Sequence, residues 1–107
     1  MKKAIWLSYD LGVRGDYEGL YAWLDDHQAI ECGDSVAFLN FNVKDTENII
    51  EELKRDLQKS VNFNKRDRIY IIWKIHKKIK GRFIFGKRKA SPWEGYGSQE
   101  SETEEVE

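Results

Sequence analysis

The chain has 107 residues, of which 40% are hydrophobic and 35% charged, a composition that fits one small globular domain with polar extensions. The single cysteine, Cys32, excludes an intrachain disulfide framework and a cysteine zinc site, and no run approaches the roughly 20 apolar residues of a membrane span. The net charge of −1 gives no sign of a polyanion partner, so any such affinity must come from local charge. We expect a soluble, cytoplasmic protein without a membrane partner.

The first predicted strand covers residues 3–9, with Ile5 and Leu7 on one face and Trp6 and Ser8 on the other. Two glycines end it, and Asp16 is placed to cap a helix over DYEGLYAWLDDH. The apolar stripe of that helix consists of Tyr17, Leu20, Tyr21 and Leu24.

The next two segments, AIEC and SVAFLNFNV, predict a β-hairpin, because Gly33 and Asp34 between them suit a tight turn. A second helix is predicted over NIIEELKRDLQKSV, with Asp45 or Thr46 as its cap. Its stripe consists of Ile50, Leu53, Leu57 and Val61.

The segment RIYIIWKI predicts a strand inside the sheet that is buried on both faces. After a turn at KKIKG, RFIFGKRK predicts one more strand. From residue 91 the composition becomes polar and acidic. We therefore divide the chain into a folded domain at residues 1–90 and a disordered acidic tail at residues 91–107.

The predicted element order is β-α-β-β-α-β followed by an extra strand, which indicates an α+β, ferredoxin-like split βαβ fold. Its antiparallel sheet would carry two helices on one face and the extra strand at the C-terminal end. Trp6 and Trp73, assigned to the other face, would leave an exposed apolar patch. We therefore expect a homodimer that packs through the sheet.

The segments SYDLGVRGDYEGLYAWLDDHQAIECGDSVAFLNF and DRIYIIWK, taken together, resemble the superfamily of the small CRISPR-associated integration subunit, the second CRISPR-associated protein. The similarity is greatest to its SinR-like members outside CRISPR systems. This resemblance implies a ferredoxin-like homodimer that binds nucleic acid, with metal-dependent nuclease activity in some members. It also implies that Asp10, at the end of the first strand, lies near its symmetry mate and binds magnesium.

Asp10 therefore has two interpretations. As a catalytic residue, a pair of Asp10 carboxylates would hold Mg²⁺, which would activate a water for phosphodiester attack, with Ser8 orienting water or phosphate. As a structural residue, Asp10 would bond backbone N–H groups in the glycine-containing loop over residues 11–15. Ser8 would then be a half-buried hydroxyl with a backbone partner.

A strongly basic block covers residues 64–89, where eleven Lys and Arg residues accompany a single acid, Asp67. Such a block favours phosphate contacts, although lysines on an edge strand also prevent aggregation. Arg14 either contacts a phosphate or points to solvent. The predicted nucleic-acid contacts are Arg14, Lys77, Lys78, Lys80, Arg82, Lys87, Arg88 and Lys89.

Several aromatic residues allow base stacking, but their helical and strand spacing favours core or interface positions. These are Trp6, Tyr9, Tyr17, Tyr21 and Trp23. The function expected from the sequence is a homodimeric nucleic-acid-binding module, with a weak magnesium-dependent DNA or RNA endonuclease activity left open. The alternative is a non-enzymatic subunit that docks another protein through its sheet edge and charged segments.

Overall fold

A computed structural model describes residues 1–98; residues 99–107, the larger part of the predicted acidic tail, lie outside the described residues. The strands are β1 (Lys2–Asp10), β2 (Ile30–Glu31), β3 (Val36–Asn42), β4 (Arg68–Ile75) and β5 (Lys78–Phe85). The helices are α1 (Tyr17–Asp26) and α2 (Ile49–Ser60), with short 3-10 helices at Thr46–Asn48 and Tyr96–Ser98. No helix in the described part is long and apolar enough to cross a membrane.

The five strands form one antiparallel sheet in the order β2-β3-β1-β4-β5. The central strand β1 pairs Trp6 with Phe38 on one side and with Ile72 on the other. The predicted α+β class, with an antiparallel sheet, two helices and an additional C-terminal strand, is thereby confirmed.

The hydrophobic core lies between the helices and one face of the sheet. Ile5 and Leu7 of β1 are fully buried in it, as the alternation of that strand predicts. Helix α1 contributes Leu20 and α2 contributes Leu53 to the same cluster. Both helices therefore cover the face that carries Ile5, and we call the opposite face the open face.

The two helices begin differently, because only α1 has a side-chain cap at its N-terminus. The Asp16 carboxylate accepts a hydrogen bond from the Gly19 N–H at 2.9 Å, as predicted for the start of α1. It also accepts one from the Asn62 N–H at 2.9 Å, which ties the start of α1 to the residues after α2. The prediction that Asp45 or Thr46 caps α2 was wrong: Asp45 accepts a hydrogen bond from the Glu47 N–H and caps the short 3-10 helix that precedes α2. The N-cap of α2 itself is Asn48, whose side chain makes no capping hydrogen bond.

The placement of Trp73 on the open face was wrong. Trp73 pairs with Ile5 across the sheet and is only 6% exposed, so it belongs to the core. Burial of β4 on both faces was also wrong, because Ile72 is 39% exposed on the open face. Strand β4 does lie inside the sheet, between β1 and β5. Trp6, at 42% exposed, remains on the open face as predicted.

The turn between β4 and β5 also differs from the prediction. It consists of His76 and Lys77, whose φ angles of 51° and 66° suit a two-residue hairpin turn. Strand β5 therefore begins at Lys78 rather than after the KKIKG segment. Gly81 consequently lies within the strand, where a Cβ atom would collide with the Tyr70 hydroxyl.

Candidate nucleic-acid interface

Asp10 is the last residue of β1 and lies directly opposite Arg68 of β4. Arg68 Nη2 donates a hydrogen bond to Asp10 Oδ2 at 3.1 Å, and Lys89 Nζ lies 3.8 Å from the same oxygen. The hydrogen bond from Arg68 is the main cause that lowers the pKa of Asp10, and the nearby Lys89 lowers it further. Asp10 is thus a carboxylate at neutral pH whose charge two cations already balance.

The residues around Asp10 do not fit a magnesium ion within one chain. Magnesium takes oxygen ligands, whereas the Asp10 oxygen Oδ2 is shared between a guanidinium and an ammonium group. In the described residues, no three His, Cys, Asp or Glu side chains form a group able to hold a metal. The magnesium hypothesis would require a second copy of the chain, and it stays a prediction.

The structural interpretation of Asp10 has partial support. The Gly12 N–H contributes to lowering the Asp10 pKa, as a bond into the following loop would. Gly12 has a φ of 73°, a left-handed conformation that favours glycine, and its carbonyl accepts a hydrogen bond from the Gly15 N–H at 3.3 Å in the loop after the strand. The main contacts of the carboxylate nevertheless come from Arg68 and Lys89 rather than from the loop.

Seven cations gather around Asp10 at one end of the sheet, and we call this cluster the basic end. They line two adjacent grooves, one of them extending along the loop after β1. The members of the basic end are Arg14, Lys65, Arg66, Arg68, Lys87, Arg88 and Lys89.

Two local contacts shape the basic end. Asp67 is 1% exposed and accepts a hydrogen bond from the Asn64 N–H at 2.7 Å, which closes the turn that presents residues 65 and 66. Gly86, with a φ of 77°, lies so close to this turn that a Cβ there would be 2.5 Å from the Asp67 carbonyl oxygen. Residues 87–89 therefore leave β5 alongside residues 65–68.

The eight predicted nucleic-acid contacts divide into two groups. Arg14, Lys87, Arg88 and Lys89 join the basic end. The other four, Lys77, Lys78, Lys80 and Arg82, lie along β5 and the turn before it. On β4, Ile75 lies opposite Lys78, Trp73 lies opposite Lys80, and Ile71 lies opposite Arg82. Because those partners face the helices, these three cations project from the helix side of the sheet edge. With about 3.3 Å per strand residue, Lys77 lies roughly 25 Å from the basic end.

Three members of the basic end were missing from the predicted contacts: Lys65, Arg66 and Arg68. They belong to the basic block at residues 64–89, so the charge count contained the signal. Their proximity to residues 87–89 depends on the pairing of Ile69 with Phe85, which brings the start of β4 beside the end of β5.

A third groove connects the basic end to the open face. Its lining includes Ser8, Asp10, Arg68, Tyr70, Phe83 and Arg88. The guanidinium carbons of Arg68 and Arg88 lie 5.9 and 5.7 Å from the centre of the Phe83 ring. Ser8 is exposed here, contrary to the half-buried alternative, and pairs with Tyr70 across the strands.

The remaining aromatic candidates are on the helix side. Trp23 is 2% exposed, and its Nε1 donates to Asp56 at 2.9 Å, so its prediction as a core residue is confirmed. Tyr9 and Tyr17 are partly buried against the core, whereas Tyr21 beside them is 53% exposed. Burial, together with the Tyr21 hydroxyl, raises the pKa of Tyr9 to about 12, so it remains a neutral phenol.

Comparisons with known proteins add nothing to this geometry. No family model, curated protein or solved structure matches the chain. The resemblance to the CRISPR-associated integration subunit therefore stays a prediction.

Proposed function

We propose that this protein binds nucleic acid, and that the basic end contacts the phosphate backbone. The observation that carries the proposal is the convergence of seven Lys and Arg side chains from three segments on one end of the sheet. Lysine and arginine clusters bind nucleic acid by releasing counterions from phosphates, largely without regard to sequence. Asp10 pairs with Arg68 and Lys89, and its single negative charge offsets only part of the charge of the seven cations.

We also propose that the domain is ferredoxin-like, as the β-α-β-β-α-β order of its first six main elements supports. Strand β5 lies outside β4 as a fifth strand and departs from the simple four-stranded plan. The homodimer remains a prediction from the exposed apolar patch and from the resemblance, and the magnesium-dependent nuclease remains a prediction from the resemblance. The nuclease would need a second copy of the chain beside Asp10.

The test compares two variants that remove the same charge from the two ends of β5. Lys87→Gln/Arg88→Gln changes the basic end, and Lys78→Gln/Lys80→Gln is the matched control near the β4–β5 turn. Binding to labelled single- and double-stranded DNA and RNA would be measured by fluorescence anisotropy between about 50 and 200 mM salt.

We expect the basic-end variant to bind nucleic acid more weakly than the wild type. For a single strand, the slope of log affinity against log salt should also become shallower by about 0.7 for each phosphate contact that is lost. The control should retain most of the wild-type affinity and slope. Equal losses in both variants would contradict the assignment to the basic end, and absence of salt-dependent binding would remove the proposed function.

A second candidate function is the docking of another protein along β5. This strand is an edge of the sheet and exposes Ile79, which is 77% accessible, so its outer backbone groups are placed to pair with an added strand. Lys78, Lys80 and Arg82 on the same strand would favour an acidic segment. Under this alternative, the control variant would weaken partner binding more than the basic-end variant.

A further inference from the structure

The open face of the sheet carries aromatic rings in two adjacent pairs. Trp6 and Phe38 lie on neighbouring strands with ring centres 5.0 Å apart, and Tyr70 and Phe83 lie with ring centres 4.8 Å apart. The strand register places the two pairs on a diagonal, since Trp6 lies opposite Phe38 and Ile72, whereas Tyr70 lies opposite Ser8, two residues further along β1. The four rings thus lie across β3, β1, β4 and β5 as two pairs one step apart, and we call them the aromatic row.

These rings are accessible in the monomer. Trp6 is 42% exposed, and its cross-strand neighbour Ile72 is 39% exposed. Phe38, Tyr70 and Phe83 are half-buried, so part of each side chain remains uncovered. A flat apolar ligand can therefore contact this row without any rearrangement of the core.

The aromatic row is continuous with the basic end. Tyr70 and Phe83 line the same groove as Arg68 and Arg88, and both guanidinium groups lie within 6 Å of the Phe83 ring centre. A ligand that lies along this groove meets rings at one end and guanidinium groups at the other. Nucleotides combine these two properties, because each has an aromatic base and an anionic phosphate.

Charge argues against a second copy as the occupant. The charged strand residues of the open face are Lys2 and Lys74 at one end and the Asp10–Arg68 pair at the other, with Arg88 beside that pair. Both ends of the open face therefore carry net positive charge. If two copies packed face to face about a two-fold axis, a cationic end of one copy would meet a cationic end of the other in either orientation. A polyanion is attracted to both ends.

We propose that the open face binds single-stranded nucleic acid, with unpaired bases stacked on the row of Trp6, Phe38, Tyr70 and Phe83 and phosphates on the basic end. This inference rests on the proposed function and narrows its substrate class. A duplex satisfies only the phosphate contacts, because its bases are already stacked and paired. A single strand satisfies both kinds of contact.

The test measures binding of an oligothymidylate strand and of a blunt duplex of the same length, using variants of one ring. Trp6→Leu removes the ring but keeps an apolar side chain on the sheet, whereas Trp6→Phe keeps an aromatic ring at the same position. Trp93→Leu is the matched control, since Trp93 is 71% exposed and lies after the last strand. If Trp6→Leu does not fold, Phe38→Leu makes the same test, with circular dichroism as the check.

We expect Trp6→Leu to weaken binding of the single strand by about 5-fold or more, the lower range for loss of one stacking ring. Trp6→Phe should keep most of the wild-type affinity for the single strand. Duplex binding and the salt slope should not change, because the ring carries no charge. Trp93→Leu should match the wild type.

The outcomes separate this inference from the proposed function. If Trp6→Leu leaves single-strand binding unchanged while Lys87→Gln/Arg88→Gln still weakens it, the stacking face is overturned and the phosphate site stands. Failure of every nucleic acid to bind would overturn both. A dimer in sedimentation that Trp6→Leu dissociates, with single-strand affinity unchanged, would assign the face to a second copy and overturn the inference.

Discussion

Asp10 shows at the scale of one residue how a carboxylate can belong to a basic surface. Its oxygen Oδ2 lies between Arg68 and Lys89, so it holds two cations in place as well as cancelling part of their charge. Because the Asp10 side chain is 50% exposed, solvent screens the ion pair and limits its contribution to stability. Its effect on the charge of the basic end is therefore more informative than its effect on folding.

Replacement of Asp10 by asparagine tests this interpretation. We expect Asp10→Asn to lower the free energy of unfolding at neutral pH by at most about 1 kcal/mol and to strengthen polyanion binding at low salt. Arg68 lowers the folded-state pKa of Asp10 below 3.8, so the pair stabilises the fold above that pH. This stabilisation is lost as pH falls through the lowered pKa, and the two proteins should converge in acid.

The same pair of proteins tests the magnesium hypothesis. Melting temperatures measured with magnesium and with chelator should respond equally in the wild type and in Asp10→Asn, because Arg68 already neutralises the carboxylate. Magnesium that stabilises the wild type alone, together with nuclease activity that the variant lacks, would establish Asp10 as a ligand in an assembly of two chains.

At the scale of elements, the sequence predicts most clearly those segments with one apolar face. The stripe of α2 and the alternation in β1 each identify an inward face, and Ile5, Leu7, Leu53 and Leu57 are all fully buried. In contrast, RIYIIWKI has apolar residues at both parities, so its pattern does not indicate which face is inward. The pairing of β4 with β1 determines the inward face, since Trp73 lies opposite the buried Ile5 and therefore shares its face of the sheet.

The candidate site was predictable only as a charged block. Counting charges finds residues 64–89, but it does not separate Lys78 and Lys80 from Lys87 and Arg88. That division depends on the His76–Lys77 turn, which fixes where β5 begins, and on the register of β5 against β4. The turn position and the strand register depend on backbone conformation and on long-range pairing, which a count of charges along the sequence does not reveal.

The two strand tryptophans should differ sharply in their contribution to stability. We expect Trp73→Ala to lower the free energy of unfolding by about 3–5 kcal/mol, because it leaves a cavity in the core. Trp6→Ala removes a ring that already contacts water, and its cost should be about 1 kcal/mol, a typical value for point substitutions. Urea unfolding of both variants, with Trp93→Ala as the exposed control, measures the difference. Similar losses at positions 6 and 73 would contradict the assignment of faces.

At the scale of the whole molecule, the near-neutral net charge hides three regions of different sign. Residues 1–63 contain seven basic and twelve acidic residues, residues 64–89 contain eleven basic residues and one acid, and the remainder adds six glutamates. The fold concentrates part of the central block into the basic end, whereas Lys77, Lys78 and Lys80 stay near the β4–β5 turn. Affinity for a polyanion is then set by this arrangement rather than by the isoelectric point.

The five glutamates of residues 99–107 test whether charge elsewhere in the chain competes with nucleic acid for the basic end. Deletion of residues 99–107 should strengthen nucleic-acid binding at low salt and leave the melting temperature nearly unchanged. A full-length variant with these glutamates changed to glutamine separates charge from length, and it should bind as tightly as the deletion. The advantage should vanish near 1 M salt, where the screening length falls to about 3 Å. Equal affinity of all three proteins at low salt would show that these glutamates do not compete for the basic end.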